Sequence, residues 1–166
     1  MIKQFIGASL AFLSRLHLLP ANVSALGSFG FFGNPLLYLA SILLFDIFVG
    51  GFYGGFLFTY LGFAMYPLLG WVAKQKPGLS WVLLPTASFL FFLVSNFGSW
   101  FYFYPRSVEG LILCYSLAIP FYARTLIGDL GFGYGYLFWK SKAGINARNA
   151  IIQSLSRQAK LYISNN

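Results

Sequence analysis

Three charged side chains, Asp46, Arg124 and Asp129, fall inside long apolar runs of this sequence. A charge in the hydrocarbon of a bilayer costs several kcal/mol unless it meets a partner or a cavity. One base and two acids suggest two kinds of chemistry. The first is a buried ion pair between Asp46 and Arg124, or a cluster with Asp129, that locks one helix to another. The second is a ligand cavity or proton path lined by the same groups. A second polar set, Arg15, His17, Asn22, Ser24, Asn96, Ser99, Trp100, Arg106 and Glu109, gathers toward the other ends of the apolar runs.

Other reactive constellations are missing. His17 has no cysteine, acid or second histidine near it in sequence, which makes it a poor metal ligand. Cys114, the only cysteine, sits in an apolar run and reads as a small buried residue. There is no H-E-x-x-H, G-x-S-x-G or phosphate loop, and three acidic residues in all. The expectation is a protein that is not an enzyme and has no cofactor.

The elements that must position these groups are apolar helices. Hydrophobic residues make up 58% of the 166 positions and charged ones 8%, against roughly 25% charged in soluble domains. A soluble fold of this size could not hide so much apolar surface. A spanning helix needs about 20 mostly apolar residues, and breakers divide the chain into six runs. These are 2–19, ended by Pro20; a short run over 23–32; 36–49, closed by Gly50 and Gly51; 52–72; 81–104, ended by Pro105; and 111–139, with Pro120 inside. Arg15 and His17 stand where a cleaved leader would need small residues, which argues against one. The predicted fold is an all-α membrane protein. It is a bundle of about six transmembrane segments, the second short, over residues 1–139, followed by a basic amphipathic tail over 140–166.

Counting rise along the runs, Asp46 and Asp129 each lie ~15 Å from the cytoplasmic end of their span, and Arg124 ~22 Å. That places all three within side-chain reach of one another in depth.

The net charge of +8 is concentrated near the C-terminus. Lys74 and Lys76 fall in one loop and Lys140, Lys142, Arg148, Arg157 and Lys160 in the tail, two runs apart, so the positive-inside rule makes both cytoplasmic. The localisation expected is multi-pass integral membrane, with a cytoplasmic C-terminus. The basic residues flank apolar spans and line no single polar face, which argues against nucleic acid. In the tail, Ile145, Ile152, Leu155 and Ala159 recur at helical spacing, a pattern for a helix on anionic lipid or for a docking element. Small residues mark close helix approach. Gly7 and Ala11 form such a pair on the first span, which either packs within the bundle or receives a helix of another protein; with Arg148, Arg157 and Lys160 they are the candidates for contact with a partner protein. Asn22 suits the N-cap of the short second segment.

The stretches Arg15–Gly27, Leu44–Tyr53 and Gly128–Phe132 carry a resemblance. They are similar to a bacterial family of small, uncharacterised integral membrane proteins, with an R-x-x-P-P-N-F-x-P-x-x-A-like opening, an apolar D-x-x-x-G-x-Y segment and a late G-D-x-x-F. His17, Leu18 and Leu19 depart from that opening, and the basic tail is longer. The family's layout resembles the substrate-binding S-components of energy-coupling factor vitamin transporters. The resemblance implies an outward-facing pocket for a small-molecule ligand, with Arg15, Asn22, Asp46, Asn96 and Trp100 as its candidates. It also implies other membrane protein subunits as partners beside the lipid bilayer. The rival expectation is an accessory or scaffold subunit of a larger membrane complex, its pocket lost or filled by lipid or pigment.

Overall fold

The structure is a computed structural model that describes residues 2–16 and 19–164, with the side chains at 2, 3, 143, 147, 148 and from 157 onward outside the description. The described residues form seven α-helices and no strand. They are α1 (Ile2–Leu13), α2 (Leu26–Phe32), α3 (Pro35–Phe45), α4 (Phe56–Gln75), α5 (Ser80–Phe103), α6 (Val108–Lys140) and α7 (Lys142–Ser164). A π-helical turn, Asp46–Gly50, extends α3, and a 3-10 turn, Pro77–Leu79, joins α4 to α5. The stretches Phe56–Gln75, Pro77–Phe103 and Val108–Lys140 are long and apolar enough to cross a membrane. By length and composition the chain is a membrane protein.

The first two runs are shorter as helices than as sequence, and the third is a helix too short to span. α1 has 12 residues and ends at Leu13, six before the Leu19 expected. Its last turn tightens, with Arg15 N–H reaching Phe12 O and Leu16 N–H reaching Leu13 O, each at 3.0 Å, the i+3 pattern that closes helices. α2 has seven residues and starts at Leu26, not Val23. α3 has 11 residues, with five more in the π turn. At 1.5 Å per residue these reach ~18, ~11 and ~24 Å, short of the ~30 Å hydrocarbon.

Local chemistry explains the boundaries. Asn34 Oδ1 accepts from the amides of Leu36 (2.9 Å) and Leu37 (3.2 Å), with Pro35 as the first helical residue of α3. This satisfies donors that a helix start leaves unpaired. Asn22 does not cap α2. It is exposed and holds a left-handed backbone, φ 68°. Ser14 Oγ at the end of α1 accepts from Ala25 N–H at 3.0 Å, and Ser24 Oγ from Leu26 N–H at 3.4 Å. The α3–α4 connection turns at Gly51 and Gly55, φ 71° and 88°, values that favour glycine.

The helices are amphipathic in the sense suited to lipid. On α4, Gly62, Tyr66, Gly70 and Ala73 are buried, while Leu57, Leu61, Leu68 and Trp71 are exposed. On this helix small residues and a tyrosine pack inward and large apolar ones outward, because lipid removes the penalty for exposing them and rewards close backbone approach. A methyl group at Gly70 would strike the backbone of Phe31 on α2, and one at Gly98 the side chain of Phe58 across the α4–α5 hairpin.

The chain divides into two compact units, Met1–Gly133 and Tyr134–Asn166, with the boundary inside α6. In the second unit, Ser141 Oγ accepts from Gly144 N–H at 3.1 Å and so starts α7, while Lys140 Nζ lies 5.2 Å from the Tyr136 ring. Ile145, Ile151, Ile152 and Leu155 are exposed on α7. Arg148, Arg157 and Lys160 lie on this helix, with their side chains outside the described residues.

Candidate functional site

Asp129 is the most deeply buried acidic side chain described, 1% exposed. α6 carries it against three other helices. Tyr66 on α4 donates its hydroxyl to Asp129 Oδ2 at 2.5 Å, and Ser88 on α5 donates to the same oxygen. Ser28 on α2 donates to the Asp129 carbonyl at 2.7 Å. Gly27 lets the carboxylate in, since a methyl there would overlap Asp129 Oδ1 and the Tyr66 ring. Gly128 likewise admits the backbone of Ser24. A buried carboxylate needs such donors, because an unsatisfied charge in this environment is far more costly than a paired one.

The second charged centre joins Arg15 to Asp46. Arg15 Nη2 lies 3.6 Å from Asp46 Oδ1, and both side chains are largely buried, at 17% and 16% exposed. Tyr60 donates to Asp46 Oδ2 at 2.9 Å, and the guanidinium lies 3.7 Å from the Phe45 ring centroid. Arg15 Nη1 is buried without an acceptor.

This corrects the sequence expectation of a pair between Asp46 and Arg124, or of a cluster of those two with Asp129. Arg124 is exposed on α6 and forms no ion pair among the described residues. Depth alone gave the wrong partner: residues level in the bilayer still point in different directions around their helices. The early end of α1 brings Arg15 to the π turn that opens at Asp46.

Two cavities flank these centres. One, of about 310 Å³, is lined by Arg15, Asn22, Phe45, Phe63, Tyr66 and Asp129 among others. The other, of about 250 Å³, includes Asn22, Ser95, Asn96, Ser99 and Tyr122. Asn22, Phe91 and Thr125 line both. Of the expected ligand residues, Arg15, Asn22 and Asn96 thus line a cavity. Asp46 and Trp100 line neither. Asp46 stands behind Arg15, and Trp100 donates Nε1–H to Pro105 O at 3.0 Å and packs on Phe97, centroids 5.3 Å apart. His17 lies outside the described residues.

Of the two readings of the small-residue pair on α1, packing within the bundle and contact with a partner, the contacts seen are those of the first. Ala11 is fully buried, and a methyl at Gly7 would meet the Phe29 ring of α2 at 2.9 Å. Small residues admit close neighbours, and here the neighbour is within the chain. Cys114 is buried, as expected, with Sγ 3.5 Å from Asn96 O. Sequence reasoning missed Ser28, Tyr66 and Ser88. A signal was present in Tyr66 and Ser88, hydroxyls lying within apolar spans on the faces that carry the small residues.

Helices that turn small and polar residues inward, a buried carboxylate fixed by hydroxyls and a small cavity beside it define a helical membrane protein with a polar centre. The chain belongs to a family of unknown function (DUF6580), whose family model matches residues 2–141. That match takes in α1 to α6 and leaves the whole of α7 outside. No curated protein and no solved structure matches the chain.

Proposed function

We propose that this chain is a membrane-embedded, non-enzymatic subunit that binds a small molecule for uptake, in the manner of an S-component, and hands it to partner subunits in the bilayer. The cavity of about 310 Å³ carries the reading. It combines aromatic walls with a few fixed polar groups, the composition of small-molecule sites, at the lower end of their size range. Arg15 and Asn22 face it directly, and Asp46 and Tyr60 hold Arg15 from behind. In this reading the six apolar segments form the bundle, α1 to α3 contributing short or partial crossings covered by protein. The tail is cytoplasmic, its basic residues on anionic lipid, and nucleic acid is not a partner.

One observation favours the rival reading of an accessory or scaffold subunit. Arg124 is exposed midway along a helix of 33 residues, a position where a charge calls for an acid from another chain or for water.

Purification from the native membrane in mild detergent, with mass spectrometry of everything retained, separates the two. Two ATPases, a membrane coupling protein and a small metabolite are the result expected. A large stoichiometric assembly without ATPases or metabolite would replace the uptake reading with the scaffold.

A further inference from the structure

We propose that the cavity beside Asp129 takes a small organic cation, an amine or quaternary ammonium group, held between that carboxylate and the neighbouring aromatic rings. The proposal rests on the small-molecule reading of this cavity and adds the chemical class of the ligand.

Charge balance is the first argument. Arg15 is the one cation among the described residues that line the cavity. Its charge is matched by Asp46 at 3.6 Å and its face is covered by the Phe45 ring. Asp129 has a different set of neighbours. Tyr66 and Ser88 supply neutral hydroxyls, and no cation pairs with Asp129 among the described residues. Among those residues, Asp129 is therefore the one carboxyl group of the cavity and its supports without a basic partner, and its ionised form leaves one negative charge unmatched. In a low-dielectric setting such a charge selects strongly for a cation and against an anion.

The wall supplies the second argument. Phe63 and Phe91 stack with centroids 4.8 Å apart, and Tyr66 lies 6.0 Å from Phe91. All three line the cavity with Asp129. The faces of aromatic rings attract cations, most strongly where water is excluded. Ser14, Ser24, Asn22 and Thr125, also on the wall, offer oxygens to the N–H groups of an amine. An anion would meet the opposite conditions. It would have to draw Arg15 from Asp46 and sit against the Asp129 charge. Arg15 Nη1, though without an acceptor, is itself buried.

The test uses the full chain in lipid nanodiscs and three probes of similar shape: benzylamine, benzyl alcohol and benzoate. Calorimetric titration should show benzylamine binding about tenfold or more tighter than either of the others, and Asp129→Asn should abolish that preference. If the variant does not fold, the comparison on the unaltered chain decides. Preferred binding of benzoate or benzyl alcohol would overturn the cation and leave the small-molecule reading intact. An undiminished preference in Asp129→Asn, or no binding of any probe, would likewise overturn it. The broader reading is judged separately, by whether the protein purified from native membranes retains a metabolite.

Discussion

Tyr66 and Asp129 stand 63 positions apart in sequence and are joined by a buried 2.5 Å hydrogen bond. Ser88 meets the same carboxylate oxygen, and Ser88 Oγ lies 3.2 Å from the Tyr66 hydroxyl. The three side chains form a closed set drawn from α4, α5 and α6. Tyr66→Phe removes one donor without changing the ring and should cost about 1.5–3 kcal/mol, the range for hydrogen bonds to charged groups. Ser88→Ala should cost a similar amount, and the double variant should depart from the sum because the groups share one acceptor. Unfolding of detergent-solubilised protein in graded SDS measures each. Losses below about 0.5 kcal/mol, the size of ordinary surface changes, would show that the carboxylate does not depend on these donors.

Arg15 and Asp46 should behave as a coupled pair. Either single change, Arg15→Gln or Asp46→Asn, leaves a largely buried charge without its counterpart and is destabilising. The double variant should recover part of the loss, with a coupling of about 0.5–3 kcal/mol. Arg124→Gln, at an exposed position, should show no coupling to Asp46 in the same cycle. A coupling found for Arg124 and absent for Arg15 would refute the pairing.

Two glycines give opposite expectations. Gly70 abuts the backbone of Phe31, whereas nothing lies within 4 Å of a methyl placed at Gly131. Gly70→Ala should destabilise by about 1–3 kcal/mol through overpacking. Gly131→Ala should be neutral or stabilise by up to about 1 kcal/mol through helix propensity. The order of the two midpoints in thermal unfolding is the readout, and a reversed order would contradict the α2–α4 approach.

Trp100 provides a control for the binding site. Its indole is engaged with Pro105 and Phe97 and lines neither cavity. Trp100→Ala should therefore lower stability while leaving the small-molecule content of the purified protein unchanged. Loss of a retained molecule at unchanged stability would return Trp100 to the site.

The sequence reading located the long helices well and the centre only partly. Continuous apolar runs and clear breakers marked α4, α5 and α6, because length and composition are properties of the chain itself. The shorter elements were misjudged where side chains, and not composition, set the ends: Ser14 and the turn after Leu13 end α1 inside an apolar run. Asp46 and Asp129 stood out as costly residues, but their partners did not. Depth can be counted from the helical rise, whereas direction around each helix depends on packing that no run of letters displays. Hydroxyl donors such as Ser88 and Tyr66 carry no charge and attract no notice until a carboxylate is placed against them.

The order of the helices along the chain bears on how Asp129 reaches its place during synthesis. Ser28, Tyr66 and Ser88, which hold it, all precede it in sequence, and translation delivers N-terminal segments first. Its three donors are therefore already made when α6, the last of the three long apolar helices, leaves the ribosome. The acid is thus the last member of its own hydrogen-bonded set to be synthesised, and no residue that follows α6 is needed to complete it.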